Sequence, residues 1–215
     1  MATKNIDLKT LALSAAIILA VEAGLHWVAW PKAIAPIVLI GTARILGGLL
    51  LVSLIHVACT RGIAAIGLYS NRFTAGLKKG LFWSAGFGLL AALGFLALYV
   101  SAGITPTDLI RTGLPYSTGG IFLFFLVGGI VSPVAEEIVF RGILYGYLRQ
   151  WGVWTGIIFS TLLFVLAHAT GGRFPLAQTV GGVVFALAYE RERNLVVPMV
   201  IHSLGNLAIF SISLF

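Results

Sequence analysis

Residues 131–145 read V-S-P-V-A-E-E-I-V-F-R-G-I-L-Y, two adjacent carboxylates and an arginine inside an otherwise apolar run. At membrane depth, each of Glu136, Glu137 and Arg141 is costly wherever it faces lipid, so all three must face inward and find partners. On a helix Glu137 and Arg141 stand four residues apart, share a face and can pair, whereas Glu136 points about 100° away. One carboxylate is thereby held and the other left available. Pro133 lies just upstream, where a proline removes a backbone hydrogen bond and predicts a kink before the carboxylates.

Composition identifies the surrounding medium. Of the 215 residues, 59% are hydrophobic and 10% charged, and the mean hydropathy is strongly positive. Such a chain lies outside the soluble globular range and uses lipid as its solvent. The expected fold is all-α, a polytopic membrane helix bundle of about seven transmembrane helices (six to eight) in one domain, with the fourth span kinked. The net charge of +7 does not indicate nucleic acid, because the basic residues sit at the ends of apolar segments, where headgroups and topology account for them. Cys59 is the only cysteine, which excludes an intrachain disulfide and a metal site built on several thiolates.

Outward from the central stretch, the chain divides into apolar segments. Lys4 and Lys9 precede a run over residues 10–30 that Glu22 and His26 interrupt; with no clean cleavage site following, it is expected to be a retained span rather than a signal peptide. Glu22 and His26 are four apart and are expected to form a polar pair that fixes helix packing. A second span, residues 35–59, carries Arg44, which requires a partner or a snorkelling route. Residues 60–79 read as a basic loop with a short surface helix. A third span, residues 80–103, has no ionisable side chain and suits packing. Residues 105–120 read as a connecting loop containing Asp108 and Arg111. The fourth span begins near Ile121 and is too long if continuous to Gln150. Three more spans follow at residues 153–170, 176–189 and 195–215, with the E-R-E-R run at 190–193 expected as a solvated turn. Counting Lys and Arg over seven spans gives an inner side with Lys4, Lys9, Arg61, Arg72, Lys78, Lys79, Arg149, Arg191 and Arg193, against Lys32, Arg111 and Arg173 outside. This asymmetry predicts a cytoplasmic amino terminus.

Four embedded polar residues on three of these spans have complementary chemistry: Glu136, His168, and His202 with Asn206 one turn further along the same face. A carboxylate beside a histidine, shielded from bulk water, holds and deprotonates a water molecule. A second imidazole and an amide facing the same space suit a developing oxyanion. Together these groups describe hydrolysis of an acyl bond within the membrane.

The motifs E-E-x-x-x-R (Glu136, Glu137, Arg141), F-x-x-x-H (Phe164, His168) and H-x-x-x-N (His202, Asn206) are each short, but here they occur in that order on three separate spans. Over residues 132–206 the chain resembles the CPBP family (CAAX-processing and bacteriocin-processing, or ABI), the intramembrane proteases that include the Rce1-type prenyl-protein endopeptidases. The resemblance implies that Glu136 activates water with help from His168, that His202 and Asn206 form the oxyanion site, and that Glu137 and Arg141 brace the helix. It also implies a membrane-associated protein or peptide as partner, either lipid-modified or transmembrane. A metal-free glutamate mechanism, with no cofactor, is expected. The alternative is zinc held by Glu136, His168 and His202, but the H-E-x-x-H helix is absent and a ligating Glu136 could not serve as base. A small transporter or a noncatalytic immunity or binding subunit would use the same buried polar residues differently.

Measured along ideal helices, Glu136, His168 and His202 lie at different depths from their nearest basic ends. Convergence therefore predicts tilt, a kink at Pro133, or a turn that dips into the bilayer.

Overall fold

A computed structural model describes residues 6–27, 36–105, 109–169 and 175–215. Seven helical segments are described: α1 (Leu8–Trp27), α2 (Pro36–Ala58), α3 (Phe73–Ala102), α4 (Thr118–Trp151), α5 (Val153–His168), α6 (Leu176–Glu192) and α7 (Val196–Ile212). The described residues contain helices, turns and short irregular connections and no strand, as expected of an all-α membrane bundle. Lys4, Lys32, Asp108 and Arg173 fall outside the described residues.

By length and composition α1, α2, α3 and α4 are long and apolar enough to cross a membrane, whereas α5 and α7 are apolar but have 16 and 17 residues. At about 1.5 Å per residue the last two reach about 25 Å, short of a typical hydrocarbon core. The seven expected spans are therefore four helices long enough to cross and three shorter ones, since α6 also has 17 residues. Large apolar side chains such as Leu19, Leu49, Phe82 and Leu89 remain exposed on the outer surface, the pattern of a bundle whose solvent is lipid.

Local sequence sets the ends. Asp7 accepts a hydrogen bond from the Thr10 backbone N–H at 2.8 Å and so caps α1. Its contacts with Thr10 hold the Asp7 carboxyl below the usual carboxylate range. Ser117 caps α4 through the Gly120 N–H. The basic loop is shorter than expected: after 3₁₀ turns at Gly62–Ile66 and Ser70–Arg72, α3 begins at Phe73, placing Lys78 and Lys79 on a helix. The 190–193 run is likewise corrected. It is no free solvated turn, because α6 continues to Glu192; Glu190 receives hydrogen bonds from Tyr145 and Arg149, while Glu192 pairs with Lys79 and Trp83.

The fourth span is one continuous helix whose winding changes. Residues Val127–Val131 and Ile138–Tyr145 are π-helical and flank an α-helical Ser132–Glu137. The wide turn directly precedes Pro133, where it relieves the clash and the lost hydrogen bond that a proline imposes on an α-helix. The irregularity expected at Pro133 is thus a pair of π turns around the carboxylates.

Helix α7 starts from a turn in which Asn194 and Leu195 are buried. Arg193 adopts the left-handed region at φ 50°; Asn194 caps the Val196 N–H and donates to the Arg72 carbonyl, and the Leu195 N–H bonds to Gly67 O at 3.0 Å. Leu195 is fully buried.

Helix α3 packs along α7 through Gly76 and Gly80, four residues apart. A Cβ on Gly80 would lie 2.6 Å from the Val200 Cβ, and one on Gly76 2.8 Å from the Val196 Cβ. Small residues at this spacing let membrane helices approach closely. Gly80→Val is expected to lower the thermal unfolding midpoint in detergent, overpacking of this kind typically costing about 1–3 kcal/mol. Gly88→Ala, at a position with nothing within 4 Å, is expected to leave the midpoint unchanged or raise it.

Candidate active site

The site is built where α4, α5 and α7 meet. The pairing inferred from spacing is present: Arg141 Nη1 donates to Glu137 Oε1 at 2.9 Å, with both side chains completely buried. Arg141 Nη2 also donates to the Gly182 carbonyl of α6 at 3.1 Å. That approach depends on the absence of a side chain, because a Cβ on Gly182 would lie 2.9 Å from Thr161 Cγ2 and 3.6 Å from Arg141 Nη2. Three rings enclose the guanidinium, those of Phe164, Phe185 and Phe140, at 4.6, 5.2 and 5.9 Å from their centroids. A desolvated cation gains from such faces.

Glu137 does more than pair with Arg141. The same Oε1 receives His202 Nδ1 at 2.8 Å, and Phe185 stacks on the His202 ring at 4.6 Å with 22° between planes. Two helices and an aromatic face therefore fix the imidazole. His168 is fixed differently: its Nδ1 lies 2.8 Å from the Phe164 carbonyl one turn back on α5. A carbonyl only accepts, so Nδ1 carries the hydrogen and the neutral ring turns a lone pair outward from Nε2.

Both Nε2 atoms face the remaining carboxylate. Glu136 Oε2 lies 3.6 Å from His168 Nε2 and 3.8 Å from His202 Nε2. These separations exceed a direct hydrogen bond and suit one water held about 2.8 Å from each atom. Glu136 and His168 keep some exposure, 16% and 29% of their side chains, while His202 keeps 5%. Glu136 and His168 also line a cavity of about 280 Å³ between α1, α2, α4 and α5. The structure thus brings together Glu136, His168 and His202. Asn206 lies one turn beyond His202, where its Nδ2 donates to the Gly128 carbonyl in the first π turn at 2.8 Å, leaving a second amide hydrogen available.

Two features of the site were not read from the sequence. Arg44 finds its partner in Glu22 of α1, among the described residues no hydrogen bond or ion pair joins Glu22 to His26, and both members of the Glu22–Arg44 pair line the cavity opposite Glu136. His202 is tied to Glu137 rather than grouped only with Asn206. Arg44 was flagged by its depth, but only the packing of α1 on α2 identifies its partner. Among the described residues no group of three His, Cys, Asp or Glu is arranged to hold a metal ion.

Residues 118–208 match the family described as type II CAAX prenyl endopeptidase Rce1-like. The chain is 37% identical over 93 residues to the membrane-embedded CAAX protease MroQ of Staphylococcus aureus, covering 40% of this chain and 36% of that protein. It is 35% identical over 86 residues to YdiL of Bacillus subtilis, a candidate membrane peptidase by name, covering 39% and 34%. An uncharacterized 24.3 kDa protein of Escherichia coli is 32% identical over 87 residues, covering 38% and 40%. The chain therefore spans well under half the length of each of these relatives. No solved structure matches the chain. Every residue of the polar cluster on α4, α5 and α7 falls inside residues 118–208, the segment over which this integral membrane chain is similar to the Rce1-like type II CAAX prenyl endopeptidases.

Proposed function

We propose that this chain is an intramembrane endopeptidase that hydrolyses a peptide bond near the membrane in a lipid-modified or transmembrane protein or peptide. The observation that carries this reading is the position of Glu136 Oε2, 3.6 and 3.8 Å from two imidazole nitrogens at the edge of a cavity. In this reading the water between them is polarised by Glu136 and His168. Glu136 takes its proton as the oxygen attacks the carbonyl carbon, and returns it to the leaving amine. His202 and the free amide hydrogen of Asn206 donate to the oxyanion. His202 does so as the imidazolium, counterbalanced by Glu137. Glu137 and Arg141 hold this arrangement without touching the substrate. Such a chain has its amino terminus on the cytoplasmic side, as the distribution of Lys and Arg supports.

The mechanism proposed uses no resident metal. The donor set deserves a direct test, because two imidazoles whose Nδ1 atoms are held from behind, once neutral at Nε2, are also oriented as zinc ligands are. The reading assigns Glu136 to proton transfer, a role it would lose as a ligand. Cleavage of a quenched fluorescent peptide library by the purified chain is expected to survive treatment with 1,10-phenanthroline and dialysis against EDTA. Zinc bound at one equivalent and tracking activity through removal and re-addition would overturn the metal-free mechanism. Failure of the untreated chain to cleave any membrane-presented peptide would overturn the peptidase reading itself.

A further inference from the structure

The cavity has two chemically different walls. One carries Glu136 and His168; the other, formed by α1 and α2, carries Glu22 and Arg44, with Val21, Gly47 and Gly48 between. Arg44 lies outside the 118–208 segment that matches the family, and the mechanism above gives it no task. Its guanidinium is only partly used. Nη1 is paired with Glu22, whereas Nε is buried and has no hydrogen-bond partner. An arginine fork engaged at Nη1 keeps its other edge, Nε with Nη2, for a second planar acceptor, and that edge matches a carboxylate bidentately. The rest of the lining is mostly apolar, so few other groups in the cavity compete for an anion.

We propose that Arg44 is a substrate-binding residue that receives a carboxylate of the peptide, placing the scissile bond against Glu136. This assignment rests on the peptidase reading and adds a specificity to it: a peptide bearing a carboxylate close to the bond cut. The carboxylate is either the carboxyl terminus or an acidic side chain, and both present the same planar pair of oxygens. Glu22 acts as the resident counter-ion that holds the guanidinium in place until the peptide arrives. It also competes with the peptide for it.

The test is binding to the full chain carrying Glu136→Gln in lipid nanodiscs, so that no probe is consumed. The probes are N-lauroyl-Phe-Leu with a free carboxyl terminus, its carboxamide, and N-lauroyl-Phe-Glu carboxamide, with dissociation constants read by thermophoresis. At least one carboxylate probe is expected to bind about 10-fold or more tighter than the Leu carboxamide, a bidentate charged contact being the strong kind of hydrogen bond. Which of the two binds tighter identifies the source of the carboxylate. Arg44→Gln is expected to erase the difference without weakening the carboxamide, Arg44→Lys to keep part of it, and Glu22→Gln to enlarge it. Equal binding of all three probes, or a difference unchanged in Arg44→Gln, would overturn the proposal. So would an Arg44→Gln loss shared equally by the carboxamide, the result of a merely structural ion pair. Failure of the peptidase reading has a different signature: the carboxylate preference persists while the chain with Glu136 intact cleaves none of these probes or the peptide library.

Discussion

Glu136→Gln is expected to reduce peptide cleavage by about 10²–10⁴-fold, the range a positioned general base supplies, with no fall in the unfolding midpoint. The two halves of that expectation have separate grounds. Glutamine keeps the size and most of the hydrogen bonding but has no basic oxygen to take a proton from water. The fold is spared because, among the described residues, the ion-pair contacts of Glu136 are the two imidazoles at 3.6 and 3.8 Å, beyond direct hydrogen-bond length. Cleavage rates and thermal midpoints of the same detergent preparation measure both. Full activity in Glu136→Gln would remove the carboxylate from the mechanism. Lost activity with a collapsed midpoint would recast Glu136 as a structural residue.

Arg141→Met is expected to have the opposite signature, a large loss of stability accompanied by loss of activity. The guanidinium is completely buried, donates to Glu137 and Gly182, and lies over three aromatic rings. Its removal strands a carboxylate with no exposure at all, and breaking a buried pair from one side typically costs about 3–5 kcal/mol. The His202 ring is held by that same carboxylate, so the damage is transmitted to the site. The double variant Glu137→Gln/Arg141→Met removes both charges and is expected to cost less than the sum of the two single changes. Unfolding free energies for the three variants complete the cycle. Strict additivity would show that the pair does not act as a unit.

These two residues were also the most legible part of the chain, for a physical reason. Charges inside an apolar helix are so unfavourable that their placement is constrained, and four-residue spacing is a local rule that needs no tertiary knowledge. The same logic grouped His168 and His202 with Glu136, which the structure places together, but stopped at partners reached across the bundle. Glu22 lies 22 residues from Arg44, and Glu137 lies 65 residues from His202; no periodicity links either pair. A carboxylate oxygen can accept from two donors, so assigning Glu137 to Arg141 left its bond to His202 unseen. The π turns escaped because Pro133 signals a break without saying how the helix absorbs it. The tail of α6 was misjudged because E-R-E-R has the composition of a solvated turn, and only the neighbouring Arg149, Tyr145 and Lys79 recruit it into the fold.

The tucked turn before α7 bears on how self-sufficient the family segment is. Residues 118–208 contain all the groups assigned to chemistry, yet the height of His202 is set by Leu195 and Asn194, which are moored to Gly67 and Arg72. The far wall of the cavity is likewise supplied by α1 and α2. The amino-terminal half, which the family match leaves out, is thus the jig in which the reactive parts are aligned. A grafted or truncated segment 118–208 would carry the right side chains with nothing to keep them level.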